Sequence, residues 1–523
     1  MNLLGGIFVM IVSIFMFAHK SDSAKILGIF VGAGKTHSLL GNVLMQYLAE
    51  AGHEVVLITE FEDQNMQDIK YEQIIVHEDE HSDSLFNAIK ETNHNPFYVI
   101  DRIYQNSKQI IPKVYENTEV KALLNRTFDL IIVEQIFMNS LGVFAWHFQA
   151  PLVVFHPFRA DSLVNSYVGN PNFPSFIPEF PAPYDSVMNF LVRCANAVLY
   201  IYNLLFKEFV CLEEQNEIMK KYFPQAPDLS EIAYNTSMIL LNSDLSTDQP
   251  IPKVPNMIDI GGFHITTPKS LPPDVLSFLN KSVKGVVFVR LDPLTSNYLS
   301  EETRRLLVSV FSSFKHDFLW QWDEERVPDQ PPNLLMRKSL SPQDVLANPN
   351  VKLYIHLGDS QHLIEGINYG IPQLLLPLLD EQYYNAAEAQ QNGYAWKIAF
   401  PDITESDLSW AINELLDNRK YTNESLRRSK IFKEKLISPK KAMLYWIDYV
   451  IQTEGAEHLR SAALKYSWYQ LFMLDIFGFF LASILVIIIL LILIIKLICR
   501  KCCPCCKKKE ESDYISVNEH TVL

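Results

Sequence analysis

In this chain of 523 residues, chemistry-bearing side chains stand directly after apolar, strand-like runs. His37 follows the run Ile26–Val31 and the turn Gly32-Ala33-Gly34, at or near a helix start. A histidine there can exchange a proton near neutral pH and reach into a cleft; the plainer reading is an exposed helix-start histidine. Glu134 ends the run FDLIIV. A carboxylate at a strand end could orient such a histidine and support its imidazolium form, or it could simply cap a helix or face solvent. The longest concentration is Val351–Asn385, VKLYIHLGDSQHLIEGINYGIPQLLLPLLDEQYYN. It reads as a strand ending at His356, a turn through Gly358, Asp359 and Ser360, and a helix that carries Glu365 and stops at Gly370. A second apolar run, Gln373–Leu379, then ends in Asp380, Glu381 and Gln382. Ligands of parallel α/β sheets sit at strand carboxyl ends, where loop N–H groups and helix N-termini attract phosphate. Polar residues at two successive strand ends therefore point to a nucleotide site. Gly34-Lys35-Thr36 is not a P-loop, because Ile29 stands where that motif needs its first glycine.

The elements that must position these residues alternate strand and helix. Leu40, Val43, Leu44, Tyr47, Leu48 and Ala51 recur at helical spacing, with Gly52 placed to end the helix and Val55–Thr59 as the next strand. Asn165–Pro183, rich in Pro, Phe and Asn, suits a long functional loop. The strongly apolar helix after it (Phe190, Leu191, Leu199, Tyr200, Leu204, Leu205) either packs on the domain or covers an apolar acceptor site. Prolines cluster from Asp248 to Pro272 and mark a boundary. A second alternation follows: strand 285–289, helix 301–314, strands 318–322 and 334–337, then the stretch above and helices 406–416 and 439–452, with Ser438 as N-cap and Pro439 at the first helical position. Two doubly wound domains result.

The ends set the topology. Leu3–Phe17 is an uncharged, mainly apolar run that reads as a signal peptide (1–24), with a signal anchor as the alternative. Ile476–Ile495 is free of charge and, at 1.5 Å per residue, ~30 Å long, a bilayer thickness. Lys496, Arg500, Lys501 and Lys507–Lys509 follow it, so the tail is cytosolic and the protein is expected to be a type I single-pass membrane protein. Sequons at Asn125, Asn235, Asn280 and Asn423 agree with a lumenal body. Of seven cysteines only Cys194 and Cys211 are lumenal, which excludes a disulfide scaffold; the five in the tail read as palmitoylation sites rather than zinc ligands. A formal net charge of −15 excludes nucleic acid as a partner.

Several blocks in order, AKILGIF…GKTH, LAEAGHEVVLIT, FDLIIVE, IDIGGFHI, FLWQW, LANPNVKLYIH, EGINYGIPQLLLPLLDEQYYNA and GAEHLR, resemble the animal membrane-bound UDP-glycosyltransferases, with an insect-like flavour. The resemblance implies an α/β GT-B fold: two Rossmann-like doubly wound domains facing across a cleft, plus one C-terminal transmembrane helix. It implies an acceptor-binding domain over 25–250, a UDP-sugar-binding domain over 251–453, a membrane-proximal helix over 454–475, the span 476–495 and a cytosolic tail 496–523. His37 matches the catalytic base and Glu134 the acid that pairs with it. Glu365 matches the residue on the uridine ribose, and Glu381 and Gln382 the pair on the sugar hydroxyls. Gln343, His356, Gly358 and Ser360 fall in the donor loops, and Arg290 stands beside them. No metal and no cofactor is implied, the UDP-sugar being a co-substrate.

The donor loops depart from the family pattern. Ser339 and Ser341 stand where Trp and Pro of the uracil-stacking loop belong, and Arg290-Leu291-Asp292 replaces Ser-x-Gly. In the turn after Ile355, either His356 keeps the family histidine's role with one extra residue before Glu365, or Leu357 replaces that histidine; Asp359 near a phosphate is unfavourable in both cases. The expected function is inverting transfer of a hexose, glucose before glucuronate, to hydroxyls of small lipophilic acceptors, in the endoplasmic reticulum membrane. The alternative is a non-catalytic relative that binds an apolar ligand or a partner enzyme. Tyr514-Ile515-Ser516-Val517 and the final Thr-Val-Leu allow the plasma membrane as the location, and a homo-oligomer is allowed.

Overall fold

The computed structural model describes residues 23–32, 34–62, 70–76, 95–291, 300–322, 324, 326–327, 330–378 and 380–502. The expected signal peptide up to residue 22, Asp292 and the tail from residue 503 lie outside the described residues.

The first sheet is parallel throughout, in the order β3-β2-β1-β4-β5-β6-β7. Its strands are β1 (Lys25–Phe30), β2 (Glu54–Thr59), β3 (Tyr71–Ile75), β4 (Leu130–Glu134), β5 (Leu152–His156), β6 (Thr236–Leu241) and β7 (Met257–Asp259). The second sheet, also parallel, runs β10-β9-β8-β11-β12-β13. It comprises β8 (Val286–Arg290), β9 (Asp317–Gln321), β10 (Leu334–Arg337), β11 (Val351–His356), β12 (Gln373–Leu375) and β13 (Ala395–Lys397). Helices cover both faces, so strand interiors such as Leu130–Val133 are buried on each side and read as continuous apolar runs. The crossover helices that matter below are α1 (Lys35–Glu50), α2 (Pro96–Glu116), α3 (Phe190–Phe206), α4 (Glu301–Ser313), α5 (Pro342–Leu346), α6 (Ser360–Tyr369) and α7 (Asp380–Gln391).

In both sheets the strand order reverses once, between β1 and β4 and again between β8 and β11. A crevice opens at such a switch point, at the carboxyl ends of the strands. His37 and Glu134 flank the first, and Arg290 and His356 the second. Gly32 makes the β1 turn possible: its φ is +88°, and a Cβ there would lie 2.1 Å from Met138 Cε.

Three placements differ from the expected boundaries: in place of one membrane-proximal helix over 454–475 there are three short helical turns, Glu457–Leu459, Ala462–Lys465 and Trp468–Leu471. β7 hydrogen-bonds to β6, so the first sheet continues past residue 250 to Asp259. The helix α8 (Pro439–Gln452), expected in the second domain, buries Met443, Ile447 and Val450 in the first core with Ile26, Leu44 and Leu130. Its amphipathic face is legible in the sequence, but which core it covers is a tertiary choice. Its N-cap is as expected, Ser438 accepting from the Lys441 N–H.

The chain divides into two units, 1–461 and 462–523. In the second, α9 (Leu474–Cys502) is apolar over Leu474–Cys499, with mean hydropathy 3.4, and is a candidate transmembrane span.

Candidate functional site

His37 lies in the first turn of α1, which starts after Gly34. Its Nδ1 is 2.9 Å from Glu134 Oε1, and its Nε2 is 3.6 Å from Glu381 Oε2 on α7. The acids belong to different sheets' strand ends, so this contact brings the two crevices face to face. Burial alone would push the imidazole down, but the hydrogen bonds and charges of Glu134 and Glu381 outweigh it and raise His37 to about 10. Glu134 is buried, and its second oxygen, Oε2, has no hydrogen-bond partner. Phe158, just beyond β5, meets the His37 ring edge-on at 5.7 Å.

The Gly32 turn is clamped from two sides. The Gly32 N–H donates to Glu60 Oε2 at 2.7 Å, and Asn106 Nδ2 donates to the Gly32 carbonyl at 3.0 Å. Neither residue was singled out from the sequence. Glu60 directly follows β2, so the strand-end reasoning used for Glu134 would have found it; Asn106 lies on α2 and carries no such signal.

Beyond Phe158 lies a narrow cavity with apolar walls from Phe137, Leu163 and Phe180. Its polar part is Gln135, Tyr167, Asp161 and His156, the last residue of β5. His156 Nε2 and Asp161 Oδ2 are 3.5 Å apart, and neither has a hydrogen-bond partner.

On the second sheet the expected donor residues divide. Gln343 and Glu365 come together: Gln343 Nε2 is 3.3 Å from Glu365 Oε1 and also donates to the His264 carbonyl at 3.2 Å. Glu365 Oε2 is buried without a partner. Gln382, Ser360 and Gly358 meet around the start of α6. Gln382 accepts from the Leu378 N–H at 2.9 Å and donates to Asp359 Oδ1 at 3.1 Å. Asn385, one turn after Glu381, donates to the Gly358 carbonyl at 3.0 Å and to Ser360 Oγ at 3.1 Å. Helical spacing would have placed Asn385 on the Glu381 face. Arg290 ends β8 in register with His356, and its Nε has no hydrogen-bond partner.

His356 is placed differently from the donor-contacting role expected of it. It is fully buried, and both ring nitrogens are used internally: Nε2 is 2.7 Å from Gln373 Oε1, and Nδ1 accepts from the Gly358 N–H at 3.1 Å. Burial, reinforced by His362, pushes it down to about 3, so it is a neutral brace between β11, β12 and the turn. Leu357 is buried in the second core, so it offers no polar group either.

Asp359 is the N-cap residue of α6, yet its side chain does not cap the helix. It turns to His362 Nδ1, 3.2 Å away, and to Gln382. Burial opposes its charge, but those contacts hold it below the usual carboxylate range. His362 Nε2 is buried without a partner. The sequon residues Asn125, Asn235, Asn280 and Asn423 are exposed, and Asn235 Oδ1 accepts from Arg460 at 2.5 Å. Cys194 and Cys211 are both free thiols.

A sequence model described as UDP-glucoronosyl and UDP-glucosyl transferase matches residues 13–510. The chain belongs to this family. Among its relatives, a UDP-glycosyltransferase of Dactylopius coccus, UGT5, is 30% identical over 493 residues, spanning 92% of this chain and 93% of its own. The mouse UDP-glucuronosyltransferase 1A9 is 28% identical over 367 residues, 70% of this chain and 69% of its own. Among solved structures, glycosyltransferase VinC in complex with DTDP superposes with a TM-score of 0.58 at 17% identity, covering 82% of this chain and all of that one. That likeness establishes the GT-B arrangement of the UDP-glycosyltransferase. Membership of the family supports sugar transfer from a UDP-sugar, and the relatives together with α9 are consistent with a membrane-bound protein.

Proposed function

We propose that this UDP-glycosyltransferase moves a hexose, glucose or glucuronate, onto a hydroxyl of small lipophilic acceptors with inversion at the anomeric carbon. The observation that carries this reading is His37 held between Glu134 and Glu381. Glu134 fixes Nδ1 as the proton-bearing nitrogen, which leaves Nε2 as the base. The acceptor hydroxyl takes the place now facing Glu381, against the apolar walls around Phe158. Its proton passes to Nε2 as its oxygen forms the new bond to the anomeric carbon. The bond from that carbon to the phosphate oxygen breaks, and UDP leaves with the electron pair. The imidazolium so formed is stabilised by Glu134. Glu381 and Gln382 hold sugar hydroxyls, Glu365 and Gln343 the nucleoside end, and Arg290 with the turn Gly358–Ser360 the diphosphate. His356 acts as a brace for that turn, not as a ligand.

The reading extends to the whole chain. Residues 1–24 are a signal peptide, and the body lies in the lumen of the endoplasmic reticulum with glycans on the four sequons. The acceptor domain runs to about Asp259 with α8 packed on it.

A second reading is favoured by Asp359 at the start of α6 and by the burial of His356: a non-catalytic member that binds an apolar ligand. Calorimetry of the full chain with UDP, and product analysis with UDP-glucose, UDP-glucuronate and a simple phenol, separate the two. Binding of UDP with transfer that His37→Ala abolishes, at unchanged UDP affinity, supports the enzyme. Absence of UDP binding at millimolar concentration overturns it.

A further inference from the structure

The helix α3 turns an apolar ridge outward. It buries Leu199 together with two polar residues: Asn196 donates to the Pro174 and Ile177 carbonyls, each at 2.8 Å, and accepts from the Glu179 N–H at 2.8 Å. One heptad on, Asn203 donates to the Phe180 carbonyl at 3.1 Å and to Glu179 Oε2 at 3.3 Å. The opposite face carries Phe190, Leu191, Val198, Ile201 and Leu205, and Phe209 continues it beyond the helix; these residues are between 52% and 75% exposed. A helix on a water-facing surface shows the reverse pattern. Each such side chain forgoes the gain of burial while it stays in water, and a contiguous apolar ridge of this kind marks an interaction surface.

We propose that this ridge lies in the interface of the lipid bilayer, with α3 parallel to its plane. The occupant follows from four observations. The chain carries its own candidate span, Leu474–Cys499, and a body tethered to a membrane meets that surface at a millimolar effective concentration, so a modest affinity suffices. The region Phe190–Tyr222 reaches a mean hydropathy of only 1.3, and its Asn196 and Asn203 are hydrogen-bonded into the protein, so it lies on a membrane rather than across one. The ridge is one helix wide and ~26 Å long, the shape of an interfacial helix. Arg193, whose guanidinium stands 6.0 Å from the Phe190 ring, is exposed beside the ridge, where it reaches lipid phosphates while its stem stays among the apolar groups.

Cys194 sits on this exposed side as a native free thiol, whereas Cys211 is buried. The test uses the full chain with Cys499, Cys502, Cys503, Cys505 and Cys506 replaced by serine, in phosphatidylcholine nanodiscs at one chain per disc. A polarity-sensitive fluorophore is placed on Cys194, or on Asn413→Cys in a Cys194→Ser background as an exposed reference. A nitroxide on the lipid acyl chain should quench the Cys194 fluorophore about twofold or more, and aqueous iodide should quench it less than the reference, because an interfacial helix sinks its apolar face ~5–10 Å past the headgroups. Equal responses of the two labels overturn the proposal. Protection of Cys194 that arises only with two chains per disc also overturns it, in favour of a contact between copies. Ile201→Glu with Leu205→Glu should bring the lipid quenching down to the reference level while UDP affinity, which reports a folded donor site, is unchanged; quenching that persists in this variant refutes the role of the ridge.

Discussion

Replacing Glu381 by glutamine removes one of the two carboxylates that hold His37 charged. The pair is 3.6 Å apart with side chains 12% and 17% exposed, so solvent screens it only in part. An opposite charge at this range raises a histidine by about 1–3 units. The E381Q imidazole should therefore titrate about 1–2 units below the value near 10, a loss of about 1.4–2.7 kcal/mol from the imidazolium form. The sign for stability follows. His37 is raised on folding, so its contribution is complete below the unfolded value of 6.5 and is lost as pH rises from there through about 10. The variant should be less stable than wild type at pH 6 and should approach it at pH 10. Glu134→Gln, which removes the 2.9 Å partner, should lower the imidazole further. The assay is NMR titration of ¹³C-labelled histidine, with the His37 signal assigned by its loss in His37→Asn. In activity, the basic form of His37 is the reactive one, so the rising limb of kcat/KM should move to lower pH by the same amount. The limb of kcat should move less, since bound sugar already engages Glu381. An unchanged or raised His37 titration in E381Q would refute the bridging arrangement.

Arg159 holds the two lobes together: it stacks on the Tyr384 ring at 3.9 Å, hydrogen-bonds its hydroxyl and lies 3.3 Å from Glu388, all buried. Arg159→Ala leaves Glu388 unpaired and should lower stability by about 3–5 kcal/mol in urea unfolding, with partial recovery on adding Glu388→Gln; no recovery would mean that Glu388 is not its main partner. Asp359→Gly removes a negative charge from the start of α6 and should tighten UDP binding by about tenfold, about 1.4 kcal/mol, in calorimetry. Unchanged or weaker binding would place the diphosphate elsewhere. Burial pushes Glu179 up to about 8 against hydrogen bonds from Ser162 and Asn203. The folded state then binds the extra proton between pH 4.5 and 8, and its stability falls across that window. Glu179→Gln should gain on wild type by a few kcal/mol between pH 5 and pH 9 in thermal unfolding; parallel pH curves would refute the shift.

The architecture was legible because parallel strands buried on both faces are unbroken apolar runs with polar residues at their ends. That rule placed β1, β4 and β11 within a residue or two and put His37 and Glu134 together before any contact was known. The same double burial hid the orientation of His356. In a strand with one wet face, alternation tells which side chains point inward; β11 is buried on both sides, so its last residue could be read equally as a ligand or as a brace. β3, β5, β6, β7 and β13 were missed: Tyr71–Ile75, Met257–Asp259 and Ala395–Lys397 are short or partly polar, whereas Leu152–His156 and Thr236–Leu241 are buried runs that the same rule should have found. Helix α2 holds Pro112 in its interior, a breaker signal that its packed apolar face overrides. Arg159, Tyr384 and Glu388 are more than 200 residues apart in part, so no local pattern could join them. The inward Asn196 and Asn203 of α3 were equally invisible, because an apolar helix reads the same whether its outer face meets protein, water or lipid.

The altered donor turn can be weighed on whether its changes fit one another. A turn drifting free of function would leave Asp359 as a buried charge with nothing to answer it, at a cost of several kcal/mol. Instead Asp359 has two partners, His362 Nδ1 at 3.2 Å and Gln382 Nε2 at 3.1 Å. Its carboxylate is turned away from the backbone it would otherwise cap. The first-turn N–H groups of α6 are therefore not spent on it, and the positive end of the helix stays open to an anion. Gly358, at a φ of +108°, keeps the backbone close to Gln382, where a Cβ would come within 3.2 Å of the Gln382 carbonyl. Leu357 adds to the core, so the loss of a polar side chain there leaves no orphaned group. Changes at Leu357 and Asp359 that the surrounding residues each accommodate are what a working anion site under a new set of side chains requires, and they weigh toward a retained donor function.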